Sequence, residues 1–205
     1  MSKNNASLHL RDMLAKEAAR LIIENGIKDF GLAKRKAAKI LKIKDICLLP
    51  RNSEIENNII DRHMIFDEDS YLNNLNKMRN LALKIMNFFI EFSPRLVGPV
   101  FSGSATYNSP IEIHVFSDSL EDLIDILNKE RIGFKNFQKR YKFHKKSKLI
   151  IPGFLFEIDN ISINLMIFRE KGEYNFPLSP IDKKPMKGIT RNKLIKLLKE
   201  FSAGL

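Results

Sequence analysis

The sequence predicts an α+β fold, with a helical N-terminal region packed on a small mixed sheet. Three observations predict it. Apolar residues recur at helical spacing along residues 8–92. Beyond Pro94 the texture changes to short runs in which apolar and polar residues alternate. A proline-rich stretch, "FPLSPIDKKPMKG", then leads into one last amphipathic segment. Helices first and strands later is the order of an α+β protein, and it divides the chain into a helical region over residues 1–93 and an α+β domain over 94–205.

The elements follow in order. Ser7 caps a helix over Leu8–Glu24, whose residues Leu10, Met13, Leu14, Ala18, Leu21 and Ile22 share one face. Asn25–Gly26 stops it, since both residues tolerate a left-handed backbone. A second helix, Gly31–Leu41, sets Leu32, Ala33, Ala37, Ile40 and Leu41 against Lys34, Arg35, Lys36, Lys39 and Lys42. Pro50 breaks the chain, and Ser53 caps a third helix with acidic residues in its first turn, where they suit the helix dipole. A fourth helix covers Tyr71–Phe92 and ends at "SPR", because proline cannot continue the ladder. Strands are predicted at Leu96–Phe101, Ile111–Phe116, Phe137–Phe143, Leu149–Ile158 and Ile161–Phe168. A helix over Ser119–Glu130 separates the second strand from the third. Asp159–Asn160 is hairpin-turn chemistry between the last two. Arg191–Phe201 closes the chain as a helix.

At 205 residues and 44% hydrophobic content, the chain can build one substantial core or two small ones. Its longest apolar run, Leu81–Phe92, is interrupted by Lys84, Asn87 and Glu91, so no segment predicts a membrane span. "MSKNNASLHLRD" lacks the apolar centre of a secretory signal, and the lone Cys47 forms no internal disulfide. Together these predict a cytoplasmic protein without a membrane partner.

A net charge of +11 favours polyanions, above all nucleic acid. Two segments concentrate it. One is Ala33–Lys44, with Lys34, Arg35 and Lys36 foremost. The other is Arg131–Phe156, which holds Lys139, Arg140 and Lys142 and no Asp or Glu. Phe134, Phe137, Tyr141 and Phe143 are interleaved there. Aromatic faces stack on unpaired bases, but the same alternation also suits strand residues facing a core.

The chemistry-bearing stretch is "GSATYNSPIEIHVF". Gly103 lets backbone approach a ligand, and Ser104 adds a hydroxyl, so the pair is a candidate phosphate cradle. Period-two alternation puts Glu112 and His114 on one strand face. In "ISINLMIF" it puts Ser162 and Asn164 together. Were the two strands paired, these four would share a polar surface. His114 is a candidate general base, phosphate-oxygen donor or ligand for a softer metal.

This stretch resembles the motif of the DNA polymerase β-like nucleotidyltransferase superfamily. That motif has a Gly–Ser pair, two aspartates one residue apart on the next strand, and a third carboxylate from a later strand. The resemblance covers roughly residues 95–168. It implies that Gly103 and Ser104 hold triphosphate oxygens, that Mg²⁺ is the cofactor, and that the carboxylates fall at Pro110, Glu112 and Asn164. "DFGLAKRKAAKIL", "LPRNSEIE", "PRLVG", "IHVF" and "PLSPIDKKPM" also resemble, in the same order, a group of uncharacterised proteobacterial nucleotidyltransferase-like proteins. Two-metal phosphoryl transfer needs several anionic oxygens around ions roughly 3.5–4 Å apart. Here Pro110 has no side-chain oxygen and Asn164 is neutral, leaving Glu112 as the charged metal ligand. The sequence therefore predicts a divergent nucleotidyltransferase-like protein that binds a nucleotide or nucleic acid, with transfer weak, altered or absent. Glu112, His114 and Asn164 are its candidate catalytic residues. The alternative is a non-catalytic RNA- or DNA-binding module on the same scaffold.

Overall fold

A computed structural model of the protein describes residues 3–144, 147–170 and 175–203. Its elements, in order, are α1 (Lys3–Asn25), α2 (Phe30–Ile40), α3 (Asn52–Phe66), α4 (Glu68–Phe88), β1 (Arg95–Val97), α5 (Gly98–Ser102), β2 (Ile111–Phe116), α6 (Leu120–Lys129), β3 (Phe134–Lys142), β4 (Lys148–Ile158), β5 (Ile161–Phe168), β6 (Ile189–Thr190) and α7 (Arg191–Ala203). Single 3₁₀ turns lie at Ile46–Leu48 and Ile90–Phe92. The class is α+β, helices first and sheet second.

Two compact units make up the chain. One comprises residues 1–71 with 180–183, the other residues 72–179 with 184–205. The division falls inside α4, some way before the proline at 94 that marks the change of texture in the sequence.

In the first unit α1 packs on both α2 and α3. Its core is built on Leu14, Ala15, Ala18, Ala19, Ala33, Ala37, Ile55 and Ile59, and the three small alanines on α1 and two on α2 allow close helix approach. Asp29 caps α2 by accepting from the Leu32 amide. Arg11 forks onto Glu54 at 2.7 Å and joins α1 to α3.

In the second unit the strands form one mixed sheet in the order β3-β4-β5-β2-β1-β6. Only β2 and β5 are parallel among the named strands. Asp159 and Asn160, both at positive φ (53° and 61°), make the two-residue turn between β4 and β5. The strand expected over Leu96–Phe101 is cut short. Gly98 bends the chain at φ 69°, Pro99 fits the first helical turn, and α5 follows.

Ile111, Ile113, Val115, Ile163 and Leu165 are buried on one sheet face. The opposite face carries a second cluster: Phe116, Tyr141, Phe143, Ile151, Met166 and Phe168. Phe176 and Met186, from the proline-rich stretch, pack against that cluster. The Leu178 amide donates to the Lys142 carbonyl, and Leu178 bridges Pro185. The middle of the sheet is thus covered on both sides, whereas alternation alone equally allows one wet face. No described helix is long and apolar enough to cross a membrane.

Candidate functional site

Glu112 is the centre of the polar part of the sheet. Parallel pairing sets its Cα opposite that of Asn164, and antiparallel pairing sets it opposite Val97. Glu112 and Asn164 therefore meet on one face, as expected of paired strands. Ser162 falls outside this meeting, opposite Glu157 on β4.

A cation already holds Glu112. Lys139 reaches across from β3 and places Nζ 2.9 Å from Oε1. The Glu112 side chain is 13% exposed and that of Lys139 39%. The Lys139 ammonium also lies 5.5 Å from the Tyr141 ring centroid. Behind the carboxylate is Gly98: a Cβ built there would come within 3.3 Å of Glu112 Cδ and Oε2. The bend that backs onto Glu112 is therefore Gly98, a residue the sequence reading passed over. Its signal was present as a glycine between a strand and a proline, "VGP".

Gly103 and Ser104 are placed differently from a phosphate cradle. Gly103 ends α5 at φ 93°, and its N–H donates to the Pro99 carbonyl at 2.9 Å. That amide closes the short helix instead of facing a ligand. Ser104 is buried, with its hydroxyl 3.0 Å from that of Ser102. The following turn is tied by Thr106 and Ser109, whose side chains lie 3.2 Å apart.

His114 is a core histidine. It is 1% exposed, with Nε2 3.3 Å from the Tyr141 hydroxyl and its ring 4.6 Å from that of Phe168. Burial, seconded by the Lys139 charge, pushes its pKa down to about 3, so the ring is neutral near pH 7. A group sealed in an aromatic cluster meets no reactant, which removes His114 from the candidate general bases. Phe176 and Met186 pack against that cluster from a distant part of the chain, and strand alternation gives no sign of it.

No family model, curated protein or solved structure matches the chain.

The residues at this centre do not fit a two-metal site. Pro110 contributes no oxygen, Asn164 is neutral, and the single carboxylate is neutralised by an ammonium where a metal ion would compete. No group of three or more His, Cys, Asp or Glu able to hold a metal occurs among the described residues. No chemical step through Mg²⁺ follows from this arrangement.

The basic candidates separate. On α2, Arg35 and Lys36 are exposed, but Lys34 is half-buried. Desolvation, then the charge of Lys183, lowers the Lys34 pKa, and Glu54 partly opposes this. On β3, Lys139 turns to Glu112 while Arg140 and Lys142 face solvent. Register sets Lys142 directly opposite Lys148, and Arg140 opposite Ile150. The Tyr141 and Phe143 side chains are buried, so these interleaved aromatics belong to the core and offer no stacking surface.

Proposed function

We propose that this protein binds nucleic acid on a nucleotidyltransferase-like scaffold whose carboxylate centre is structural. One observation carries the binding reading. Lys142 and Lys148 are held opposite each other, beside Arg140, and no carboxylate lies between Arg131 and Phe156. Like charges directly opposed across strands are destabilising by roughly 0.2–1 kcal/mol. An arrangement that costs stability in the free protein gains from a polyanion laid across it. The Lys139–Glu112 pair supports the second half of the reading, because the carboxylate's charge is satisfied within the fold.

The test is fluorescence-anisotropy titration with labelled nucleic acid over a series of salt concentrations. Affinity is expected to fall steeply as salt rises. Glu112→Gln is expected to leave that affinity unchanged within twofold while lowering stability by about 1 kcal/mol. Lys139→Met is expected to cost about 2 kcal/mol, because it strands the less exposed partner. Urea titration measures both. Transfer of a labelled nucleotide to RNA or protein in Mg²⁺ or Mn²⁺, abolished by Glu112→Gln, would overturn the structural role of Glu112. Absence of nucleic-acid binding at low salt would overturn the whole reading.

A further inference from the structure

β4 pairs with β5 only over Gly153–Ile158. At Pro152 the chain has no N–H to donate, and the pairing to β5 stops. Residues Lys148–Pro152 therefore pair with Gln138–Lys142 of β3 as a two-stranded ribbon running on past the sheet. One side of the ribbon holds Tyr141 and Ile151, both buried in the aromatic cluster. The other side holds Gln138, Arg140, Lys142, Lys148, Ile150 and Pro152, all exposed. Ile150 is 56% exposed. The side chains of Arg140, Lys142 and Lys148 make no ion pair or hydrogen bond with a described residue.

Resting on the nucleic-acid reading above, we propose that this exposed ribbon face enters the major groove of double-stranded DNA. The dimensions suit it: paired strands lie about 4.8 Å apart, and the B-DNA major groove, about 12 Å wide, admits a two-stranded ribbon. The A-form major groove of RNA is too narrow and deep for side chains to read. Single-strand binders present aromatic faces to bases, and the ribbon has turned its tyrosine inward. Lys142 and Lys148 contact phosphates. Arg140 and Gln138, two residues apart on one strand, point to base edges, where Arg suits guanine and Gln suits adenine. Ile150, opposite Arg140, offers an apolar contact for a thymine methyl.

The experiment titrates the full chain with a DNA duplex, an RNA duplex and a single strand of matching sequence, at several salt concentrations. Tightest binding to the DNA duplex is expected. The triple variant Arg140→Ala/Lys142→Ala/Lys148→Ala is expected to lose at least tenfold in affinity and to flatten the log K against log salt slope by about 2, near 0.9 for each of the two lost phosphate contacts. A charge-matched control on exposed positions of α7, Lys193→Ala/Lys196→Ala/Lys199→Ala, keeps the wild-type slope. Bulky 5-substituted pyrimidines, which fill the major groove, are expected to abolish the preference. Equal binding to all three nucleic acids, or indifference to the filled groove, overturns the groove assignment and leaves nucleic-acid binding standing. A triple variant that binds normally but self-associates also overturns it, since cations then serve only to guard an open strand edge. No binding to any of the three defeats the underlying reading itself.

Discussion

Gly153→Ala is expected to destabilise the protein by about 2–3 kcal/mol, the upper part of the overpacking range. A Cβ at this position would sit 2.5 Å from the Leu165 carbonyl oxygen and 3.0 Å from Met166 Sδ. The sulfur belongs to a flexible side chain and can move, but the carbonyl is backbone of the adjacent strand. Relief requires β4 and β5 to separate at Gly153↔Met166, the last pair of their ladder. The gain from restricting the unfolded chain, about 0.4–1 kcal/mol for a Gly-to-Ala change, offsets only part of this. Gly133→Ala is the control. Nothing lies within 4 Å of a Cβ there, and the change is expected to stay within about 0.5 kcal/mol of wild type. Urea unfolding of the two variants checks the contrast, and equal stabilities would contradict the close approach. Because Gly153 anchors the ribbon to the sheet, Gly153→Ala is also expected to weaken DNA binding without removing any charge.

Acidification from pH 7 to pH 5 is expected to cost about 2 kcal/mol through His114 alone. Its pKa is about 3 in the fold, against roughly 6.5 in an unfolded chain. Between those values the unfolded state binds the additional proton, so stability increases with pH across the window. The contribution is fully present above about pH 6.5 and drains away as the pH approaches 3. His63, half-buried and stacked 4.9 Å from Tyr71, is also held below its ordinary value by desolvation and adds a smaller loss of the same sign. Glu17 and Glu54 are held low by hydrogen bonds from Arg20 and Arg11, so their stabilisation is lost below their unfolded values near 4.5. His114→Leu is expected to lower stability at pH 7 by about 1–2 kcal/mol, because the buried Tyr141 hydroxyl loses its partner. It is also expected to decline less between pH 7 and pH 5. Parallel declines of variant and wild type would refute a buried neutral imidazole.

Much of the framework was legible from residue pattern alone. Asp159–Asn160 supplies two residues that accept positive φ between two alternating runs, so the β4–β5 hairpin follows from local chemistry. The α1 stripe of Leu14, Ala18 and Leu21 is equally local, since helical period and burial coincide there. Misplaced boundaries have local causes too. Asp29 stands as a capping residue ahead of α2, and Gly98–Pro99 interrupts a run that otherwise reads as strand. β6 is two residues long, and its pairing to β1 is fixed by tertiary position, which no sequence window contains.

The sequence by itself determined the class, the order of elements, the surplus of positive charge and the strand face that Glu112 shares with His114. Each of these depends on period or composition, whereas the meeting of Glu112 with Asn164 needed the long-range pairing of β2 with β5. Tertiary structure decided the fate of the side chains. It gave Lys139 to Glu112, sealed His114 among Tyr141 and Phe168, spent the Gly103 amide on α5, and left Arg140, Lys142 and Lys148 together in water. The physical reason is that alternation specifies which side of a strand a residue occupies, whereas solvation and charge partners depend on what distant chain segments lay over that side.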